Sequence, residues 1–192
     1  MLNALHAQLK LLAADPADPF AAIIRKLAGP RDAGGYEQPL RALILAMPAM
    51  TGQIRAWLTE SKSASPIGRL HGFAMSYLYS PEDFLPESSM GFFGYLDDAY
   101  LIARVYHRTV LEADFFGNRR FAENETLPGD VHTWIKLARE LLPGETAAID
   151  SMLEEVFLKR YGNYSDLISR AAKAGSRSCR PADNKKGARE NN

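Results

Sequence analysis

The chain has 192 residues, a single cysteine, and 23 basic and 23 acidic side chains. This length predicts one domain with a sizeable core, and the lone Cys179 excludes an internal disulfide. A balanced charge argues against the basic surface that nucleic-acid binding requires, so we expect no nucleic-acid partner. The single cysteine favours a reducing, cytoplasmic location.

Apolar residues recur at spacings of three and four through most of the chain, whereas alternating apolar and polar runs are almost absent. Leu2, Leu5, Leu9 and Leu12 form the first such set and predict an amphipathic helix. The prolines of residues 15–19 should end this helix. The pattern as a whole predicts an all-α fold.

Prolines and capping residues divide the remaining chain into further predicted helices. Asp18 is a suitable cap for the second helix, and Pro19 is a suitable first residue. Pro48 falls inside the long third helix, where the missing hydrogen bond should produce a kink. The predicted helices after the first are residues 20–27, 38–61, 66–79, 94–114, 130–142, 146–161 and 164–174, with loops at 31–36 and 115–129.

The two ends of the chain show no targeting or membrane-spanning signal. The N-terminus lacks the basic region of a signal peptide, and the longest uncharged run, residues 42–54, is shorter than the ~20 apolar residues of a spanning helix. Residues 175–192 are polar and should be disordered, which leaves a helical domain at 1–174. Residues 171–192 carry six basic and two acidic side chains. The tail is expected to be a solubilising terminus, and the alternative is a weak contact with an anionic membrane.

Four carboxylates lie close together in the sequence, in the loop after the fourth predicted helix and in the first turn of the fifth. Asp83 and Glu87 belong to a proline-containing loop, and Asp97 and Asp98 belong to the first turn of the following helix. Asp98 is aligned with an apolar face of that helix and Asp97 with a polar face. We therefore predict that Asp98 points inward and that Asp97 lies near the boundary between core and surface.

These carboxylates support two main interpretations. In the structural one, Asp98 accepts hydrogen bonds from loop N–H groups and Asp83 caps a short turn. In the other, Asp83, Glu87, Asp97 and Asp98 provide hard oxygen ligands for Mg²⁺, Ca²⁺ or Mn²⁺. Acid–base catalysis by paired carboxylates is a third reading, but no further motif marks a substrate pocket.

The same stretch resembles the YkvA-like family, a bacterial domain of unknown function. The family pattern is Ser-Pro-x-Asp-x-x-Pro-Asp followed by Gly-x-x-Asp-Asp, and the resemblance covers roughly residues 70–110. Glu87 replaces the second aspartate of the pattern, and the spacer is about one residue longer. The matching positions are Ser80, Pro81, Asp83, Pro86, Gly94, Asp97 and Asp98.

The resemblance and the periodicity together predict a single helical domain built round a central helix-loop-helix hairpin at residues 70–110. Phosphate-loop, dinucleotide, zinc-protease and nucleophile-elbow motifs are absent from the sequence. We therefore expect a non-enzymatic interaction or scaffolding module, peripheral to the membrane, with an unidentified protein partner and no cofactor. The alternative is a divalent-metal-dependent enzyme that uses the four carboxylates.

Two sets of side chains outside the acidic stretch are expected to be structural. The four histidines are scattered and should lie at the surface or the edge of the core. The aromatic residues around the acidic stretch and both tryptophans should pack in the core. These residues are His6, His71, His107, His132, Phe92, Phe93, Tyr95, Tyr100, Tyr106, Trp57 and Trp134.

Overall fold

A computed structural model describes residues 2–60, 65–80, 84–115 and 130–175. Within these ranges the chain is helical and contains no strand, which confirms the predicted all-α fold. The predicted tail, the loop at 116–129, Pro81 and Asp83 lie outside the described residues. The helices are α1 (Leu2–Ala14), α2 (Phe20–Ala28), α3 (Ala33–Glu60), α4 (Pro66–Tyr77), α5 (Glu87–Met90), a 3₁₀ helix (Gly91–Tyr95), α6 (Leu96–Phe115), α7 (Val131–Leu141), α8 (Pro143–Phe157) and α9 (Tyr164–Gly175).

The predicted helices are present, but α3 and α8 begin earlier than predicted. The Ser65 hydroxyl accepts a hydrogen bond from the Gly68 N–H at 2.9 Å and caps α4, with Pro66 as its first residue. The prediction of a loop over residues 31–36 is wrong, because α3 already begins at Ala33. The predicted break between α7 and α8 is present, but at Leu142. A proline fits the first position of a helix, so Pro143 opens α8, three residues before the predicted start.

Helix α6 lies at the centre of the protein and packs against α3, α4, α7 and α8. Its burial extends round most of its circumference, because Tyr100, Leu101, Ile102 and Ala103 are all inaccessible to solvent. Consecutive buried residues on one helix require partners on every side. The predicted aromatic core is confirmed for Phe92, Phe93, Tyr95, Tyr100 and both tryptophans.

The predicted helix-loop-helix hairpin is confirmed, since α4 packs against α6. Between them lie α5 and the 3₁₀ helix, which the sequence analysis did not predict. Gly91, which follows α5 and begins the 3₁₀ helix, has a positive φ of 57°, a conformation that glycine adopts without strain. We call the segment from Phe84 to Asp98 the corner, because it turns the chain from α4 into α6.

Candidate functional site

Asp97 is the buried carboxylate of the corner, with 1% of its surface exposed. Its Oδ2 atom accepts a hydrogen bond from the Tyr77 hydroxyl at the end of α4 and another from the Phe84 N–H, both at 3.2 Å. One side chain thus connects α4, the start of the corner and α6. The predicted structural role of a carboxylate that accepts loop N–H groups is present, but at Asp97.

The prediction that Asp98 points inward while Asp97 lies near the boundary is wrong. Asp98 is half-buried and lines a cavity. The prediction extended the faces of α6 forward from the aspartates, but side chains in a helix tilt toward its N-terminus. Asp97 therefore meets the preceding corner instead of the later turns that carry Arg104 and Arg108.

The glycine of the motif is required by a close approach of two backbones. A Cβ atom placed on Gly94 would lie 2.5 Å from the Cα and 2.8 Å from the N of Glu87. The 3₁₀ helix thus packs directly on the first residue of α5. The other motif residues hold the ends of these elements: the Ser80 N–H donates to the Tyr77 carbonyl, and the Pro86 carbonyl accepts from the Met90 N–H.

Asp18 attaches the N-terminal part of the chain to the corner. Its Oδ1 accepts the Phe20 N–H at 2.9 Å, as its predicted capping role requires, and its Oδ2 accepts the Phe92 N–H at 2.8 Å. The Gln8 amide adds a second connection by donating to the Tyr95 hydroxyl at 2.9 Å. The corner is therefore held by residues of α1 and of the α1–α2 connection as well as by α4 and α6.

A cavity of about 600 Å³ opens beside the corner. We call it the corner groove. Its walls are mainly apolar, and its charged side chains are Arg55, Glu87 and Asp98. The lining residues are Leu2 and Leu5 of α1; Met47, Thr51, Arg55 and Leu58 of α3; Met75, Leu78 and Tyr79 at the end of α4; and Glu87, Tyr95 and Asp98 of the corner.

The structure separates the carboxylates that the sequence analysis considered together. Glu87 and Asp98 line the corner groove, whereas Asp97 is bonded beneath it to Tyr77 and Phe84. Among the described residues, no group of three or more histidine, cysteine, aspartate or glutamate side chains could hold a metal ion. Asp83, the fourth predicted ligand, lies outside those residues.

Comparison with known proteins places one similarity on this corner. A family model described as "Protein of unknown function (DUF1232)" matches residues 70–103, which run from α4 through the corner into α6. No curated protein and no solved structure matches the chain. The matched stretch is thus similar to a domain of unknown function, and it contains the motif that the sequence analysis singled out. Along the described part of the chain, no helix has the length and apolarity needed to cross a membrane.

His71, at the start of the matched stretch, is fully buried instead of lying at the core edge. The Thr109 hydroxyl donates to the Val105 carbonyl, so it must accept from the His71 Nε2–H, 2.9 Å away. The proton therefore resides on Nε2, and Nδ1 has no hydrogen-bond partner among the described residues. Burial lowers the pKa of His71 to about 4.

This pKa predicts a loss of stability in mild acid. The unfolded imidazole has a pKa of about 6.5, so as the pH falls below that value the unfolded chain gains a proton that the folded chain does not bind. His71 should therefore reduce the free energy of unfolding by about 2 kcal/mol between pH 7 and pH 5. Urea denaturation of the wild type and His71→Gln at both pH values measures the difference. His6→Gln, at an exposed position, is the control; a His71→Gln variant as pH-sensitive as the wild type would contradict the assignment.

Proposed function

We propose that the protein is a non-enzymatic interaction module that binds an amphipathic helix of a partner protein in the corner groove. The observation that carries this proposal is the groove itself, half of whose described lining residues belong to the stretch similar to a domain of unknown function. The resemblance to the YkvA-like family and a peripheral position at the membrane are parts of the same proposal.

The dimensions of the groove suit a short helix. Met47, Thr51, Arg55 and Leu58 form its α3 wall at spacings of four, four and three residues, with Met47 and Thr51 buried at the base and Arg55 and Leu58 accessible. At 1.5 Å per residue this wall is about 16 Å long. An amphipathic helix that anchors through residues i, i+3 or i+4, and i+7 needs about 10 Å. Tyr79, 63% exposed at the end of α4, adds a large aromatic surface of the kind that interfaces use.

The charges of the groove indicate the chemistry of the occupant. Glu87 and Asp98 give the corner side two carboxylates, whereas Arg55 is the only charged side chain among the described α3 residues of the lining. The complementary partner is a helix with an apolar face that carries lysine or arginine toward the corner. Such charges mainly provide specificity and correct orientation, while the apolar contacts provide most of the affinity.

Selection from a library of displayed helical peptides against the full-length protein tests this proposal. We expect enriched peptides to have apolar residues at helical spacing and at least one basic residue. Asp98→Lys should weaken their binding at least tenfold, because it replaces an attraction with a repulsion. Arg55→Glu should instead preserve or improve the binding of basic peptides.

A matched pair of leucine variants locates the binding surface. Leu58→Glu places a charge in the groove, whereas Leu11→Glu makes the same change at a side chain that is 75% exposed and does not line the groove. Only Leu58→Glu should abolish peptide binding, with thermal melts confirming that both variants fold. Failure to enrich peptides, or equal effects of the two variants, would contradict the proposal. Anionic vesicles in the same assay, with and without residues 175–192, identify any membrane contact that the tail makes.

A further inference from the structure

A second cleft, of about 330 Å³, lies between α6 and α7 and is separate from the corner groove. Arg104 and His107 contribute to it from α6, and His132, Lys136 and Arg139 contribute from α7. The two histidines, His107 and His132, lie far apart in the sequence. In the folded chain their ring centroids are 5.7 Å apart. We call this site the basic cleft.

The two arginines of the basic cleft are held in place by one carboxylate. Asp150 of α8 accepts the Arg104 Nε–H through Oδ1 at 2.6 Å and an Arg139 Nη2–H through Oδ2 at 2.7 Å. The buried Tyr100 hydroxyl donates to Asp150 Oδ2 at 2.9 Å and accepts the Arg139 Nε–H at 2.8 Å. Guanidinium groups fixed in this way lose little conformational entropy when they bind a ligand.

This arrangement leaves donors of both arginines available for a ligand. Within the described part of the chain, Arg104 makes its hydrogen bond through Nε, and neither of its Nη groups has a protein partner. Arg139 uses Nε and Nη2, so its Nη1 group also has no partner among the described residues. Unused guanidinium N–H groups are the donors that bind phosphate and carboxylate oxygens most effectively.

Among the described residues of the basic cleft, which also include Glu140, positive charge exceeds negative charge. Lys136 forms an ion pair with Glu140 at 3.9 Å, and the two arginines share Asp150. Three permanent cations therefore face two carboxylates before either imidazole is protonated. Burial is the main cause of a lowered pKa of His107, and the neighbouring Arg104 and Arg139 act in the same direction.

We propose that the basic cleft binds a phosphomonoester, with Arg104 and Arg139 providing hydrogen bonds to the phosphate oxygens, Lys136 providing further positive charge and the two imidazoles providing further N–H donors. A phosphomonoester carries close to two negative charges at neutral pH and three acceptor oxygens, which matches several convergent donors better than one carboxylate does. The volume of the cleft also leaves room for the group that carries the phosphate. This inference does not depend on the helix-binding role of the corner groove.

The four histidines make the test specific, because their imidazole proton signals can be followed separately by NMR at constant pH and ionic strength. The full-length protein is titrated with inorganic phosphate and with glycerol 3-phosphate, and sodium chloride serves as the ionic-strength control. Both phosphates should shift the signals of His107 and His132, while exposed His6 and buried His71 stay unchanged. Equal shifts of His6, or no shift beyond that caused by sodium chloride, would overturn the proposal.

Variants at the edge of the cleft assign the binding without disturbing the bonds to Asp150. Lys136→Gln should weaken the binding of glycerol 3-phosphate about tenfold, whereas Lys26→Gln removes an equal charge from an exposed site on α2 and should leave it unchanged. Equal losses in the two variants would also overturn the proposal. Vesicles that contain phosphatidic acid present the same group on a lipid. Binding of soluble glycerol 3-phosphate without vesicle binding identifies a free metabolite. Vesicle binding that Lys136→Gln weakens identifies a lipid headgroup.

Discussion

Replacing Asp97 with alanine should destabilise the fold by about 2–4 kcal/mol, because each buried donor left unpaired costs about 1–3 kcal/mol. The two donors are the Tyr77 hydroxyl and the Phe84 N–H. Both residues are themselves buried, so water cannot readily replace the lost acceptor. Chemical denaturation of the purified variant measures the loss. Asp97→Asn should be milder than Asp97→Ala, since its amide oxygen can still accept both hydrogen bonds.

Two comparisons distinguish this hydrogen-bonding role from a general sensitivity of the corner. Asp98→Ala alters the adjacent carboxylate, which lines the corner groove, and should cost less than Asp97→Ala. In a Tyr77→Phe background, Asp97→Ala should also cost less than in the wild type, because one of the two donors is already gone. A larger loss for Asp98→Ala, or strictly additive effects of the Tyr77 and Asp97 changes, would contradict this account.

Replacing Gly94 with valine should be at least as damaging, with a loss of about 3 kcal/mol or more or a failure to fold. The first added carbon would lie 2.5 Å from the Glu87 Cα, and backbone atoms cannot move aside as the end of a side chain can. Even well-tolerated overpacking in a core costs about 1–3 kcal/mol. Gly94→Ala should therefore destabilise clearly, and Gly94→Val further.

A second glycine provides a control with the opposite sign. Gly35 lies in α3, and a Cβ atom added there meets nothing within 4 Å. Gly35→Ala should therefore stabilise the protein by up to about 1 kcal/mol, because alanine is the better helix former. Thermal melts of both alanine variants give the comparison. Similar effects of the two substitutions would show that the approach of the 3₁₀ helix to Glu87 is not as close as described.

Periodicity and capping predicted the helices well, because those signals are local. The amphipathic pattern of α1, the Ser65–Pro66 start of α4 and the capping by Asp18 each depend on neighbours within a few residues. The errors arose at residues that disrupt the middle of a helix but are tolerated in its first turn. Pro143 and Gly34 look like breakers in the sequence but lie in first turns, where the N–H groups have no intrahelical partner.

The candidate sites were only partly predictable, because they depend on contacts between distant segments. The motif marked the corner correctly, but it could not show that Asp97 would reach Phe84 behind it. The α3 wall of the corner groove follows a visible helical spacing, which alone does not distinguish a groove from a core. Nothing local connects His107 with His132, since the α6–α7 packing brings them together.

The two hydrogen bonds of Asp18 also have consequences for the order of events during synthesis. Its bond to Phe20 is available as soon as α2 emerges, but Phe92 follows 74 residues later. At translation rates of about 5–20 residues per second, that interval is about 4 to 15 seconds. In this interval the Asp18 Oδ2 atom is hydrated, and the apolar face of α2 is not yet covered by the aromatic residues of the 3₁₀ helix. The hydrogen bond between Asp18 and Phe92 can therefore form only after residue 92 has been synthesised, so the connection before α2 and the corner are joined late.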